Sequence, residues 1–393
     1  MRAILAAVRE SGDAALRELT ARFDGADVPP ERLRVTSEEI EAASRALDPG
    51  LRAALDAAIA NVGAVARAQL REDIAVELAA GQRVEIPELP VRRAGAYVPG
   101  GRAPYSSTVV MCAVTAREAG VEELAVCAPP GADGEAHPVI LAACGLCGVD
   151  EVYRMGGAQA VAALAHGTET VPSVDVIVGP GSAYVQEAKR QVFGQVGLDA
   201  IAGPSELVVV ASESADPELA ALDLLAQAEH GAGSLVACVS DAPALLAEVE
   251  RVLGVLGPAE AGGPSAAPPI ALVSAPDPDA AVRIADRIAP EHLELMGKAV
   301  EALAGEVRTA GALFVGPEAA TAFGDYVAGS NHVLPTGGAA RHTSALSVAT
   351  FRRRMARIRL PAGAAADLAP AGAKLARSEG FPVHAKSMER RAR

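Results

Sequence analysis

Tryptophan is absent from the 393 residues, and six phenylalanines and five tyrosines bring the aromatic share to only 3%. A chain so poor in large rings, yet 50% hydrophobic, has to build its core from alanine, valine and leucine. That suits helices laid on buried strands, the arrangement in which parallel sheets are covered on both faces. Positive charge is also short. The 35 Lys and Arg against 49 Asp and Glu leave a formal charge of -14, which disfavours nucleic acid and anionic membrane surfaces alike. No apolar run reaches the roughly 20 residues of a membrane span. The opening MRAILAAVRESGDAAL carries charges through its apolar positions, the pattern of an amphipathic helix and not of a signal peptide. The five cysteines, at 112, 127, 144, 147 and 238, are odd in number and lie in apolar runs, so no disulfide framework is indicated and a reducing cytoplasm fits. Cys144 and Cys147 make a CxxC at the end of an apolar helix with no second copy, which reads as packing.

The chain is long enough for two to three domains. Ile40, Ala43, Leu47, Leu51, Leu55 and Ile59 recur at three and four spacing and mark residues 1–75 as a helical lead-in. Beyond it strand and helix alternate. Strands over 91–98, 123–128, 151–155 and 174–178, interleaved with helices over 107–119, 137–147, 158–165 and 182–192, form one run of βαβ units. Strands over 206–211, 234–239, 269–273 and 312–315, with helices over 217–229, 242–253 and 278–288, form a second. The two meet near the Gly203-Pro204 turn. Residues 260–269 (EAGGPSAAPP) read as an exposed low-complexity loop. From Ser347 the character changes, with a basic stretch (FRRRMARIRL, 351–360), an Ala-rich helix and a polar tail. The spacing predicts an α/β protein of two tandem modules, with a helical lead-in and a small C-terminal unit.

Four of the seven histidines, His230, His292, His332 and His384, lie in polar segments bordered by glycine or proline. In LLAQAEHGAGS, Gln227 and His230 stand three apart at a helix end, where an amide oxygen and an imidazole can grip one ion without specifying which. A histidine before a C-cap glycine, Gly231, explains the same residues equally well. In RIAPEHLEL, Glu291 and His292 follow Pro290 at the expected start of a helix or turn. The pair suits general acid-base work, because imidazole titrates near neutrality and a carboxylate can orient water; a solvated helix start is the plainer alternative. FGDYVAGSNHVLPTGG places Asp325, Asn331 and His332 in a loop of the kind that builds sites. EGFPVHAKS holds Glu379 and His384 near the end of the chain, where a role is less usual. The glycine loops VPGGRAPYSST, VYRMGGAQA, VGPGSAYV and IAGPSEL stand where α/β folds bind ligands, but none is a GxGxxG fingerprint.

Taken together, GAYVPGGRAPYSSTV, GGAQAVAALAHGTETVPSVDVIVGPG, AGPSE, LLAQAEHG, APEHLEL, GDYVAGSNHVLPTGG and EGFPVH, in this order and over nearly the whole chain, resemble histidinol dehydrogenase. The resemblance implies two incomplete Rossmann-like modules in an intertwined homodimer. Residues 1–96 would hold the lead-in and the first part of a discontinuous substrate and zinc module, 97–204 the NAD module, 205–346 the rest of the zinc module, and 347–393 a unit completing the partner's site. It implies one zinc per subunit, held by Gln227, His230, Asp325 and a His384 from the partner subunit. L-histidinol would be contacted by those ligands and by Ser205, His292, His332 and Glu379, the last meeting the amino group. The implied reaction oxidises L-histidinol through L-histidinal to L-histidine, passing two hydrides to two NAD in succession. His292 would take the hydroxyl proton and Glu291 would activate the water of the second step. NAD would touch Tyr97, Gln159 and Ser182, the last standing where the family usually has Asn, a change that bears on NAD affinity. Thr115 replaces a common Pro.

Three other readings compete. A related zinc and NAD enzyme acting on another polar alcohol would lose the groups fitted to histidinol, so Glu379 and His384 speak against it. A non-catalytic nucleotide-binding protein leaves Glu291 and His292 unexplained, and a metal-dependent hydrolase leaves the central glycine loops so.

Overall fold

The computed structural model describes residues 1–100, 103–260 and 267–392. Residues 261–266 of the expected low-complexity loop, and Gly101 and Arg102 of the VPGGRAPYSST loop, lie outside the described residues. Contacts divide the chain into two compact units, Met1–Gln69 with Val91–Phe351, and Leu70–Pro90 with Arg352–Arg393.

In the larger unit, strands β1 (Arg93–Tyr97), β2 (Glu123–Ala128), β3 (Glu151–Arg154), β4 (Val176–Val178) and β5 (Gly197–Leu198) form a parallel sheet in the order β3-β2-β1-β4-β5. Alternation along the strands covers both faces. Ala94, Ala96, Val126 and Val176 join the core made with helices α2 (Ser37–Ala46), α3 (Pro49–Ala68), α4 (Ser106–Glu118) and α5 (Pro138–Leu146). Tyr97, Ala125, Cys127 and Ile177 face the opposite core, built from α1 (Arg2–Phe23), α6 (Gly157–His166) and α7 (Ala183–Val192). Helix α4 is buried on every side over residues 108–116, as its near absence of charge requires.

A second parallel sheet repeats the topology. Strands β6 (Glu206–Ala211), β7 (Leu235–Ser240), β8 (Ile270–Ser274), β9 (His292–Met296) and β10 (Ala312–Val315) lie in the order β8-β7-β6-β9-β10. Leu207, Val209, Val236 and Cys238 pack on α8 (Pro217–Ala228) and α9 (Pro243–Glu260), while Val208, Val210, Ala237 and Leu293 pack on α10 (Pro278–Ile288). Each sheet therefore holds five strands of the six-stranded doubly wound order, with a crevice where the order reverses, at β1/β4 and at β6/β9.

Strand β9 corrects the expectation of a helix or turn start at Glu291-His292. Ala289 adopts a left-handed φ of 55°, which with Pro290 ends α10. HLELM is buried on both faces, as a central strand must be. The helical lead-in stops at Ala68, and residues 74–77 begin a strand. Asp325 sits in a short helix, α11 (Thr321–Tyr326), and not in a loop.

In the smaller unit, Arg83–Ile86 pairs antiparallel with Ile74–Glu77 and with Arg357–Arg359, and Arg352–Arg354 pairs with Glu88–Pro90. The basic stretch is neutralised there, with Arg354 3.0 Å from Glu88 and Arg357 3.4 Å from Glu85. Helices α12 (Ala362–Ser378) and α13 (Pro382–Arg391) pack through Ala373, Ala376 and Ala385, so the expected polar tail is helical.

Candidate active site

Because β6 and β9 are neighbours, with Leu207 opposite His292, Ser205-Glu206 and Glu291-His292 stand side by side at the amino ends of the two strands. Glu291 is buried, and its Oε2 accepts from Ser205 Oγ at 2.5 Å and from the Glu206 amide at 2.8 Å. The Glu206 carboxylate answers by accepting from the amides of Glu291 at 3.1 Å and Gly337 at 3.1 Å. Burial raises the Glu291 pKa against the opposing pull of His292 and Ser205. His292 Nδ1 lies 3.0 Å from the Glu206 carbonyl. A carbonyl only accepts, so Nδ1 carries the hydrogen and the neutral ring keeps its lone pair on Nε2. Nε2 faces Asp325 Oδ1 at 3.5 Å, close enough for charge attraction but too long for a made hydrogen bond; among the described residues no hydrogen bond engages it. Burial lowers the His292 pKa, but Asp325 and Glu291 outweigh it and hold the ring above its ordinary value.

Asp325 brings the histidines together. Burial pushes its carboxyl up, yet the imidazoles of His292, His332 and His230 hold it below the usual range. The ring of His230 is open to the cavity, and the protein mass around it keeps its pKa below that of free imidazole despite Asp325. Its amide donates to Gln227 O at 3.2 Å, and Gly231 follows at φ 107° to close the turn. Buried Gln227 donates from Nε2 to Ser205 Oγ at 2.7 Å, which fixes the amide so that its carbonyl oxygen has no donor among the described residues. Both nitrogens of His332 are committed, Nδ1 to the Asp325 carbonyl at 2.8 Å and Nε2 to Thr108 Oγ1 at 3.1 Å. A ligand reaching this ring has to displace the threonine.

The glycine loops rise from the carboxyl end of the first sheet. Gly179 follows β4 with a φ of 108°, and a Cβ there would stand 2.1 Å from the Tyr97 carbonyl, so only glycine lets the two strand ends approach. Lys189, buried on α7, donates to Gly179 O at 3.0 Å and to Asp199 at 2.5 Å; Asp199 also accepts from the amides of Gly179 and Ala200, each at 2.7 Å. The Tyr97 hydroxyl accepts from Gly157 N at 3.1 Å, and Gln159 Nε2 donates to Asp24 at 3.2 Å. Ser182 is exposed at the N-cap of α7 without a side-chain cap bond.

One cavity of about 1160 Å³ joins the two edges. Tyr97, Gln159 and Ser182 line one wall, and Ser205, His230, Glu291, His292, Asp325 and His332 the other, with Gln227 behind Ser205. Glu379 and His384 belong to the smaller unit, where both are exposed; His384 stands 5.3 Å from the Phe381 ring. Among the described residues no group of three His, Cys, Asp or Glu gathers as a metal site. Sequence reasoning passed over Glu206, Thr108, Lys189, Asp199 and Asp24. Their signal was only proximity to glycine loops, and their partners are as far as 224 residues away, as in Thr108 with His332. All five cysteines are buried and free, and burial pushes the thiols of the CxxC pair well up, so neither is a reactive thiolate.

Two five-stranded parallel sheets, a cavity lined by the carboxyl end of one and the amino end of the other, and a histidine-carboxylate wall opposite glycine loops define an α/β enzyme with dinucleotide-fold-like modules. The family model described as histidinol dehydrogenase matches residues 1–392. The histidinol dehydrogenases of Parasynechococcus marenigrum (strain WH8102) and Rhizobium meliloti (strain 1021) are each 47% identical over 392 residues, covering 99% of this chain and 89% and 90% of their own. The crystal structure of histidinol dehydrogenase from Elizabethkingia anophelis superposes with a TM-score of 0.91 at 32% identity, over 99% of this chain and 90% of that one. An acetylating aldehyde dehydrogenase from Geobacillus thermoglucosidasius, at TM-score 0.53 and 14% identity over 92% of each chain, shares the fold alone. The chain belongs to the histidinol dehydrogenase family, oxidoreductases of histidine biosynthesis.

Proposed function

We propose that the protein oxidises L-histidinol through L-histidinal to L-histidine with two NAD, as a zinc-containing, cytoplasmic homodimer. The observation that carries this reading is the convergence of the acid-base set and the glycine loops on one cavity. No helix among the described residues is long and apolar enough to cross a membrane.

The donors at hand suit zinc. Gln227 turns out a carbonyl oxygen because Ser205 holds its nitrogen, His230 is kept neutral, and Asp325 is kept ionised. These are the forms in which such groups ligate. They number three, and we assign the fourth place to His384 of the partner subunit. When bound, zinc supplies a Lewis acid that gathers the substrate's nitrogens, and NAD supplies the hydride acceptor. Tyr97, Gln159 and Ser182 would hold NAD, and Glu379 the substrate amine.

His292 carries its hydrogen on Nδ1, locked by the Glu206 carbonyl, so Nε2 is the atom that takes the hydroxyl proton. Asp325 stabilises the imidazolium that results. Glu291, made more basic by burial, takes a proton from water for the aldehyde step, while Ser205 and the Glu206 amide fix its Oε2. His332 frees Nε2 for substrate by releasing Thr108. The test is NADH formation by zinc-loaded protein with L-histidinol. Two NADH per histidine, abolished by a chelator and restored by zinc, is the expected result; no NADH from a folded, zinc-loaded protein would overturn the reading and favour another polar alcohol.

A further inference from the structure

Asp24 stands in the same cavity, outside every role assigned above. It follows α1 directly, and its Oδ2 accepts from Gln159 Nε2 at 3.2 Å. No hydrogen bond among the described residues engages its Oδ1. The carboxylate lies against the turn that opens α6, since a Cβ on Gly156 would come 3.4 Å from Asp24 Oδ1. A half-buried carboxylate with one anchored oxygen and one idle oxygen is an acceptor awaiting a hydroxyl.

The charge of the cavity wall points the same way. Its lining includes Asp24, Glu187, Asp199, Glu291 and Asp325, but among the described residues only one lysine or arginine side chain, Lys189. That ammonium is already held by Asp199 and the Gly179 carbonyl. Among the described residues, a dianionic phosphate placed beside Asp24 would therefore meet a carboxylate and no uncommitted lysine or arginine side chain.

We propose that Asp24 is the residue that selects NAD over NADP, its free oxygen accepting from the hydroxyls of a ribose diol and its charge rejecting a 2′-phosphate. The inference rests on the reading of this cavity as the NAD site. Burial lifts the carboxyl to about 6 against the pull of Gln159, so the repelling charge is present above neutral pH.

The test is binding, read from the fluorescence of NADH and NADPH titrated into the full-length protein without substrate, at pH 8. Wild type should bind NADH about tenfold or more tightly than NADPH, with the gap narrowing as salt rises, because screening weakens repulsion. Asp24→Asn keeps an acceptor for Gln159 and loses the charge. It should shrink the preference by about tenfold, weakening NADH and strengthening NADPH; Asp24→Ser should act alike. Equal weakening of both cofactors, or an unchanged ratio, would overturn the assignment. If neither variant folds, a wild-type gap that ignores salt overturns it. A wild type that binds neither cofactor defeats the NAD reading itself, an outcome distinct from binding without Asp24-dependent preference.

Discussion

Glu294 gives the sharpest test of the electrostatics behind the site. It sits on β9, two residues beyond His292, and its side chain is fully buried; among the described residues no N–H or hydroxyl donor reaches either oxygen. Asp223 on α8 faces it. Burial, and then the negative charge of Asp223, push the Glu294 carboxyl up to about 9, and burial raises Asp223 as well. The pair therefore shares a proton in the folded protein at pH values where the unfolded chain has released it. Between the ordinary carboxylate range and about 9 the native state binds more protons, so stability falls as pH rises. One proton corresponds to a slope of at most about 1.4 kcal/mol per pH unit, or about 3 kcal/mol between pH 6 and pH 8. Glu294→Gln has the shape of the protonated acid, offers Asp223 an amide hydrogen and cannot ionise. Urea unfolding followed by circular dichroism at both pH values measures the difference. The variant's stability relative to wild type should grow by about 1 to 3 kcal/mol from pH 6 to pH 8. Parallel behaviour of the two proteins would refute the buried shared proton.

Three further outcomes test the proposed roles. His292→Ala should lose about 100- to 10,000-fold in histidinol oxidation while zinc content, by elemental analysis, and NADH binding stay at wild-type levels. His230→Ala should lose stoichiometric zinc on dialysis and weaken histidinol binding by calorimetry with it. Lys189→Met should cost about 3 kcal/mol in urea unfolding, since it strands the buried Asp199 carboxylate, though the Gly179 and Ala200 amides still serve that group; NADH affinity should fall because the loop loses its clamp.

The parallel sheets were legible because their strands are near-continuous runs of small and branched apolar residues. ELAVCA (123–128) and ELVVVA (206–211) form strands with those same limits. β9 was not, because HLELM mixes two charged or titratable groups into a central strand, which pattern reading assigns to a surface. Those groups, His292 and Glu294, are tolerated only because Asp325, the Glu206 carbonyl and Asp223 lie around them, partners 33, 86 and 71 residues away. The site was legible in pieces. Gln227-His230 and Glu291-His292 show as local pairs, but their convergence depends on the β6-β9 register. Lys189-Asp199 and Asp24-Gln159 carry no local motif.

Both sheets have the same strand order, yet the cavity uses opposite ends of them. From the first sheet come the carboxyl ends of β1 and β4, together with the starts of α6, which follows β3, and α7, which follows β4, where helix dipoles present positive ends. From the second come the amino ends of β6 and β9, where strand amides still unpaired by the ladder, those of Glu206 and Glu291, are free to hold carboxylates. A helix start favours anions bound as ligands, whereas a strand start fixes the protein's own carboxylates in place, beside a histidine whose hydrogen a strand carbonyl has already assigned to Nδ1. One wall thus offers helix starts and glycine loops, and the other holds the groups that can move protons, which is the division of labour that the proposed reaction requires.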